Sequence, residues 1–367
     1  MDESVTSRRN VLKSTAAIAT IGTLAGCGSG GGTTTAGGDG GDGEDGGGGS
    51  DMPSGSAGQG QRVSAVPAPA NALLYFDFRK FRTDEDLKRL LNSGVESTGS
   101  AGIEGTLEEE GLADAINPDK IYDMMIFGEI PENDPMQGAT SNGGTIVWTG
   151  LSSDSVIPAL KTKAEEEDSE VTEETYNGQT LLLGESMEGG FGVVSDGVYA
   201  FGPEQVVKNA IDVSAGDAES ASGSAVDALA TTADAPVRFA ADLPTGTFTS
   251  GDGGSGGSGP MQYTSEIDVI AGSLFYKNGT NVGFQLSATM TSEDVASEGT
   301  QMLEQFKQLY SQQADQMEQG SEELKRMLDN LSISQSGKTV TVSYEDTVDN
   351  LVQLVQGESP LTGGMGN

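Results

Sequence analysis

Beyond residue 70 the chain is a succession of short apolar, β-branched-rich runs, most of them ended by a turn pair. Runs at 72–78, 121–130, 145–150, 171–176, 180–183, 236–243, 267–276, 281–290, 331–334 and 339–344 read as strands. Asn177-Gly178 lies between two of them and is a strong type I′ hairpin signal. Ser336-Gly337 is a weaker one, and Asp196-Gly197 marks a further hairpin within 191–201. Turns this tight join antiparallel neighbours. Helices are predicted over 156–164, 203–213, 295–313 and 347–355, and an additional helical insert over 84–116. Ser152-Ser153-Asp154 and Thr291-Ser292-Glu293-Asp294 supply cap oxygens and first-turn acids to two of these helices.

The order of elements repeats. Three strands, a capped helix, a hairpin and a closing helix run from residue 72, and the same series starts again near 235. The expected fold is α+β, in two tandem similar units, each a largely antiparallel sheet with packed helices. The first unit would carry the helical insert and the hairpin at 191–201 as additions. Val295, Met302, Phe306, Leu309, Tyr310 and Met317 form a stripe at helical spacing, and Gly320-Ser321 breaks it before Leu324, Leu328 and Leu331. The stripe is expected to pack on a sheet.

Residues 1–27 follow a different pattern. Arg8, Arg9, Leu12 and Lys13 precede an apolar stretch at 16–24 that is too short to span a bilayer, and Leu24-Ala25-Gly26-Cys27 follows. The paired arginines resemble the twin-arginine export signal, and the last four residues resemble a lipobox, whose cysteine carries the lipid. Over residues 7–27 the chain is similar to twin-arginine-exported lipoproteins of halophilic archaea. The resemblance implies lipidation at Cys27 and a place on the extracellular side of the cell membrane, held by a lipid anchor and not by a spanning helix. The expected organisation is a signal peptide at 1–26 and a lipidated, Gly/Asp-rich tether at 27–61. The first unit follows at 62–248, a Gly/Ser linker at 249–260, the remainder of the second unit at 261–358, and a tail at 359–367.

The 367 residues hold 56 acidic and 19 basic side chains, for a net charge of −37. The first 26 residues contain two of the acids and three of the bases, so 54 and 16 remain beyond them. Phosphate contacts come from Lys and Arg, so this balance excludes a nucleic-acid partner. The acidic charge is spread along the whole chain and resembles the compositional bias of halophilic proteins, which rely on salt to screen self-repulsion.

There is no histidine, and Cys27 is the only cysteine. A Ser-His-Asp triad, a Cys-His pair and a His-ligated zinc site are therefore unavailable. Three short motifs fail on context. Gly253-Gly254-Ser255-Gly256-Gly257 and the series Gly251, Gly253, Gly256 lie in low-complexity sequence, and Gly337-Lys338-Thr339 lies in a hairpin. The acidic runs at 39–45 and 165–168 lack the pattern of a calcium loop, and neither a metal nor a cofactor is expected. Two sequons, Asn278-Gly279-Thr280 and Asn330-Leu331-Ser332, are the candidate N-glycosylation sites of an exported chain. The expected function is a non-catalytic binding or scaffolding lipoprotein whose partner is a protein or small molecule of unknown identity. The alternative is the solute-binding lipoprotein of an ABC-type uptake transporter, which would call for two doubly wound parallel lobes.

Overall fold

A computed structural model describes residues 62–97, 117–130, 143–166, 169–184, 189–244, 265–316 and 321–355. The export signal, Cys27, the tether, the 249–260 linker, the 359–367 tail and residues 98–116 of the helical insert lie outside the described residues.

Twelve strands form one sheet: β1 (Ala72–Asp77), β2 (Ile121–Gly128), β3 (Gly144–Thr149), β4 (Val171–Tyr176), β5 (Gln179–Gly184), β6 (Gly189–Ser195), β7 (Val198–Gly202), β8 (Val237–Asp242), β9 (Ile267–Asn278), β10 (Asn281–Met290), β11 (Leu331–Ser336) and β12 (Thr339–Thr347). Their order across the sheet is β11-β12-β10-β9-β8-β1-β2-β3-β7-β6-β5-β4, and every pairing is antiparallel. The expectation of one sheet per unit is corrected here. β1 and β8, each the first strand of its run, pair side by side with Tyr75 opposite Arg238, and the two sets of strands become one sheet. The pairing removes two edges that would otherwise be open to other chains.

Asn177 and Gly178 both have positive φ (47° and 78°), as a type I′ turn requires. In the β11–β12 hairpin the turn residues are Gly337 and Lys338, with Gly337 at φ 55°; Ser336 is the last strand residue.

Among the described residues eight α-helices cover the sheet: α1 (Phe78–Thr83), α2 (Glu85–Ser97), α3 (Ser153–Glu166), α4 (Glu204–Ala215), α5 (Ser224–Thr231), α6 (Glu293–Ala314), α7 (Ser321–Asp329) and α8 (Val348–Val355). On one face α4, α5 and residues 62–70 pack on Leu73, Tyr75, Met125, Ile146, Trp148 and Leu181. Gly192 of β6 makes room for α4, because a Cβ there would lie 2.4 Å from a Val207 methyl. On the other face α1, α2 and α8 share a core with Phe76, Val237, Leu274 and Tyr344. α3 and α6 cover the two flanks of that face.

The first face is different over β10, β12 and β11. It carries Gln285, Ser287, Thr289, Thr339, Thr341, Ser332 and Ser334 in place of apolar side chains, and Ser287 is hydrogen-bonded to Thr341 at 3.1 Å. α6 also departs from expectation. Its buried residues are Ala296, Gly299 and Ala314, while Leu309 and Tyr310 of the predicted stripe are 58% and 48% exposed. No helix among the described residues is long and apolar enough to cross a membrane.

An arginine–carboxylate cluster as the candidate functional site

Six arginines follow Cys27, and four of them, Arg62, Arg79, Arg82 and Arg238, converge on one end of the sheet. The cluster starts from the pairing of β1 with β2, which places Asp77 opposite Asp123. Two carboxylates facing each other across strands repel unless cations intervene. Here they do.

Asp123 is wholly buried, and donors occupy both of its oxygens. Oδ1 accepts from the Tyr75 hydroxyl at 2.8 Å and from Arg79 Nη2 at 3.0 Å. Oδ2 accepts from Arg62 Nη2 at 2.7 Å and from Arg79 at 3.1 Å. Asp77 caps α1 by accepting from the Arg79 and Lys80 backbone N–H groups at 3.1 and 3.3 Å, and Arg79 Nε lies 3.6 Å from the same carboxylate. Aromatic rings enclose the guanidinium groups. Arg62 lies 4.7 Å from the Trp148 ring centre, Arg238 4.7 Å from Tyr75, and Arg79 5.9 Å from Tyr122. Asp234, in the approach to β8, bonds Lys80 and lies 3.9 Å from Arg238, and Arg82 donates to the Ile121 carbonyl. Burial, with the Asp123 charge adding to it, raises the Tyr75 hydroxyl far above its ordinary range, so it remains a proton donor to Asp123.

These groups join elements that are far apart in sequence: residue 62, α1, β1, β2, β3 and β8. With four hydrogen bonds from three donor groups on one carboxylate and arginines against rings, the cluster is a clamp. A second buried carboxylate plays a similar part at the end of β12. Asp346 accepts from the Tyr344 hydroxyl (2.8 Å), the Thr347 backbone N–H (2.7 Å) and Asn350 Nδ2 (2.6 Å), and Arg326 Nε lies 3.3 Å away.

The residues singled out from sequence are placed as follows. Arg8, Arg9, Leu12, Lys13, Leu24, Ala25, Gly26 and Cys27 lie outside the described residues. Asn278 is exposed at the last position of β9, beside a turn at Gly279 (φ 63°), and its Nδ2 donates to Glu345 at 2.9 Å. Asn330 is half-buried between α7 and β11, with its backbone N–H bonded to the Arg326 carbonyl. Neither Asn278 nor Asn330 is among the residues of the clamp.

Sequence reasoning did not find the clamp. Two signals were present: Asp123 interrupts an otherwise apolar strand, and the arginines are few in a chain this acidic. Among the described residues no group of three acidic side chains converges as a metal would need. No protein-family model, curated protein or solved structure matches this chain.

Proposed function

We propose that the chain is a membrane-anchored extracellular lipoprotein of a halophilic archaeon, exported by the twin-arginine route, lipidated at Cys27, and serving as a non-catalytic binding or scaffolding domain. The observation that carries this reading is the meeting of tether and domain. Residues 27–61 have the composition of a flexible tether, and Arg62, the next residue, is bonded to buried Asp123 and lies against Trp148. A load arriving through the tether would enter the sheet at its most cross-linked point. The absence of histidine from the sequence, the lipid claim on the one cysteine and the saturated Asp123 favour binding over catalysis.

One continuous antiparallel sheet is unlike the two doubly wound lobes of a solute-binding lipoprotein, which makes the transporter reading the weaker one.

The tandem-unit reading is part of the proposal. Strand order mirrors itself about the β1/β8 seam: β1-β2-β3 on one side, β8-β9-β10 on the other, with α3 and α6 following on the same face. β7 pairs with β3 as β12 pairs with β10, so the β6–β7 hairpin answers β11–β12 and the additional hairpin is β4–β5. The closing helices break the mirror, because α4 packs on one face and α8 on the other.

The test is made in the native host. The protein should fractionate with membranes and carry a lipid on Cys27 by mass spectrometry. Cys27→Ser should release it to the medium, and Arg8→Lys with Arg9→Lys should retain it inside the cell. An unlipidated Cys27, or soluble wild-type protein, would refute the reading.

A further inference from the structure

The two sequons are equivalent as motifs, but the fold treats them differently. Asn278 closes β9 at the tip of a hairpin, its side chain is exposed, and the next residue takes the positive φ of a tight turn. Its one side-chain bond, to Glu345, is itself solvent-exposed. Thr280 is exposed as well, and its hydroxyl makes no bond among the described residues. Asn330 is half-buried at the junction of α7 and β11, and its backbone N–H donates to the Arg326 carbonyl. The middle residue of that sequon, Leu331, has its carbonyl capped by the Lys307 ammonium. Presenting Asn330 to an enzyme would break these bonds and open the junction between α7 and β11. Presenting Asn278 breaks one exposed bond.

We infer that Asn278 is an N-glycan acceptor and that Asn330 is not. The donor class is a glycan linked through phosphate to a membrane polyprenol. Asn278 Nδ2 forms the new bond to the anomeric carbon, the carbon–oxygen bond to the phosphate breaks, the lipid phosphate leaves with the bonding pair, and the Nδ2 proton passes to base. The register fixes where the sugar stands. Phe76 of β1 is level with Val237 of β8 and Leu274 of β9, and β9 runs on to Asn278 toward the end where β1 reaches Asp77. The glycan therefore projects from the same end of the sheet as Arg62, where the chain departs toward Cys27.

Acceptance depends on export, so the inference rests on the proposed function, and one preparation separates the two. Protein is isolated from host membranes and both the Cys27 peptide and the whole chain are weighed. The expected result is a lipidated Cys27 together with a glycan mass that disappears completely in Asn278→Gln and in Thr280→Ala, persists in Thr280→Ser, and is unchanged in Asn330→Gln. A lipidated chain with bare Asn278 overturns the glycan assignment and leaves the export reading standing. A glycan on Asn330 overturns the assignment too. A chain with neither lipid nor glycan overturns both.

Discussion

Asp123 shows what a single residue contributes when it lies at the junction of many elements. It is buried and bonded to two arginines and a tyrosine, so its removal takes the carboxylate from Arg62 and leaves Arg79 with only the more distant Asp77. Breaking a buried pair from one side typically costs about 3–5 kcal/mol. Asp123→Ala is expected to destabilise the fold by about that amount, measured by denaturant unfolding in molar salt. Tyr75→Phe, which removes one donor while Arg62 and Arg79 remain, should cost about 1 kcal/mol. A loss below 1 kcal/mol for Asp123→Ala would show that the arginines find water instead. Strand assignment at 72–78 and 121–130 was legible in sequence because apolar runs declare strands. The Asp123 contacts were not, because they bring β1, α1 and residue 62 onto β2, and the level at which such distant segments meet leaves no local signal.

At the level of elements, hairpins were the most legible features and the α6 surface the least. Asn177-Gly178 appears where turn chemistry put it, since positive φ is a strong local constraint, and the hairpin at 331–344 turns one residue later than expected, at Gly337-Lys338. The stripe along α6 held only in part, because apolar spacing reveals amphipathicity but not how much of the face is used: Val295 packs with Met290 and Val340 on the sheet. The helix approaches the sheet through the small residues Ala296 and Gly299, which allow close contact, and Leu309 and Tyr310 stay in solvent. Two glycines make opposite predictions from this geometry. A Cβ on Gly299 would meet nothing nearer than the Met290 methyl at 3.7 Å, so Gly299→Ala should stabilise by about 1 kcal/mol through helix propensity. A Cβ on Gly192 would overlap Val207 at 2.4 Å and crowd Ile211, so Gly192→Ala should cost about 1–3 kcal/mol. Thermal melts of the two variants should shift in opposite directions, and equal shifts would contradict the packing described.

For the whole molecule, charge sets the working conditions. A net charge of −37 destabilises the compact state unless ions screen it, so the melting temperature should climb from millimolar to molar salt. A melt indifferent to salt would remove the halophilic reading. Without histidine no ordinary side chain titrates near neutrality, and stability should be flat there. At high pH the tyrosines take over. Burial above all raises Tyr75, Tyr199, Tyr276 and Tyr344, with Tyr199 pushed up to about 12. The unfolded chain releases these protons from about pH 10, while the folded chain holds them longer. Their contribution is therefore complete below pH 10 and is lost as the pH rises through 12, so melts recorded over that interval should fall steeply.

The β1/β8 seam also has a consequence for how the chain reaches its native state. Tyr75 and Arg238 are partners across the seam although 163 positions separate them in sequence. Each flank can assemble from local hairpins, but the seam closes the longest loop of any strand pairing in the sheet, and such contacts form slowly. Until β8 has been synthesised, β1 has one free side, and any nascent chain halted before residue 237 presents that side to its neighbours. The central seam is thus a slow pairing, and the step at which a rival strand could intervene.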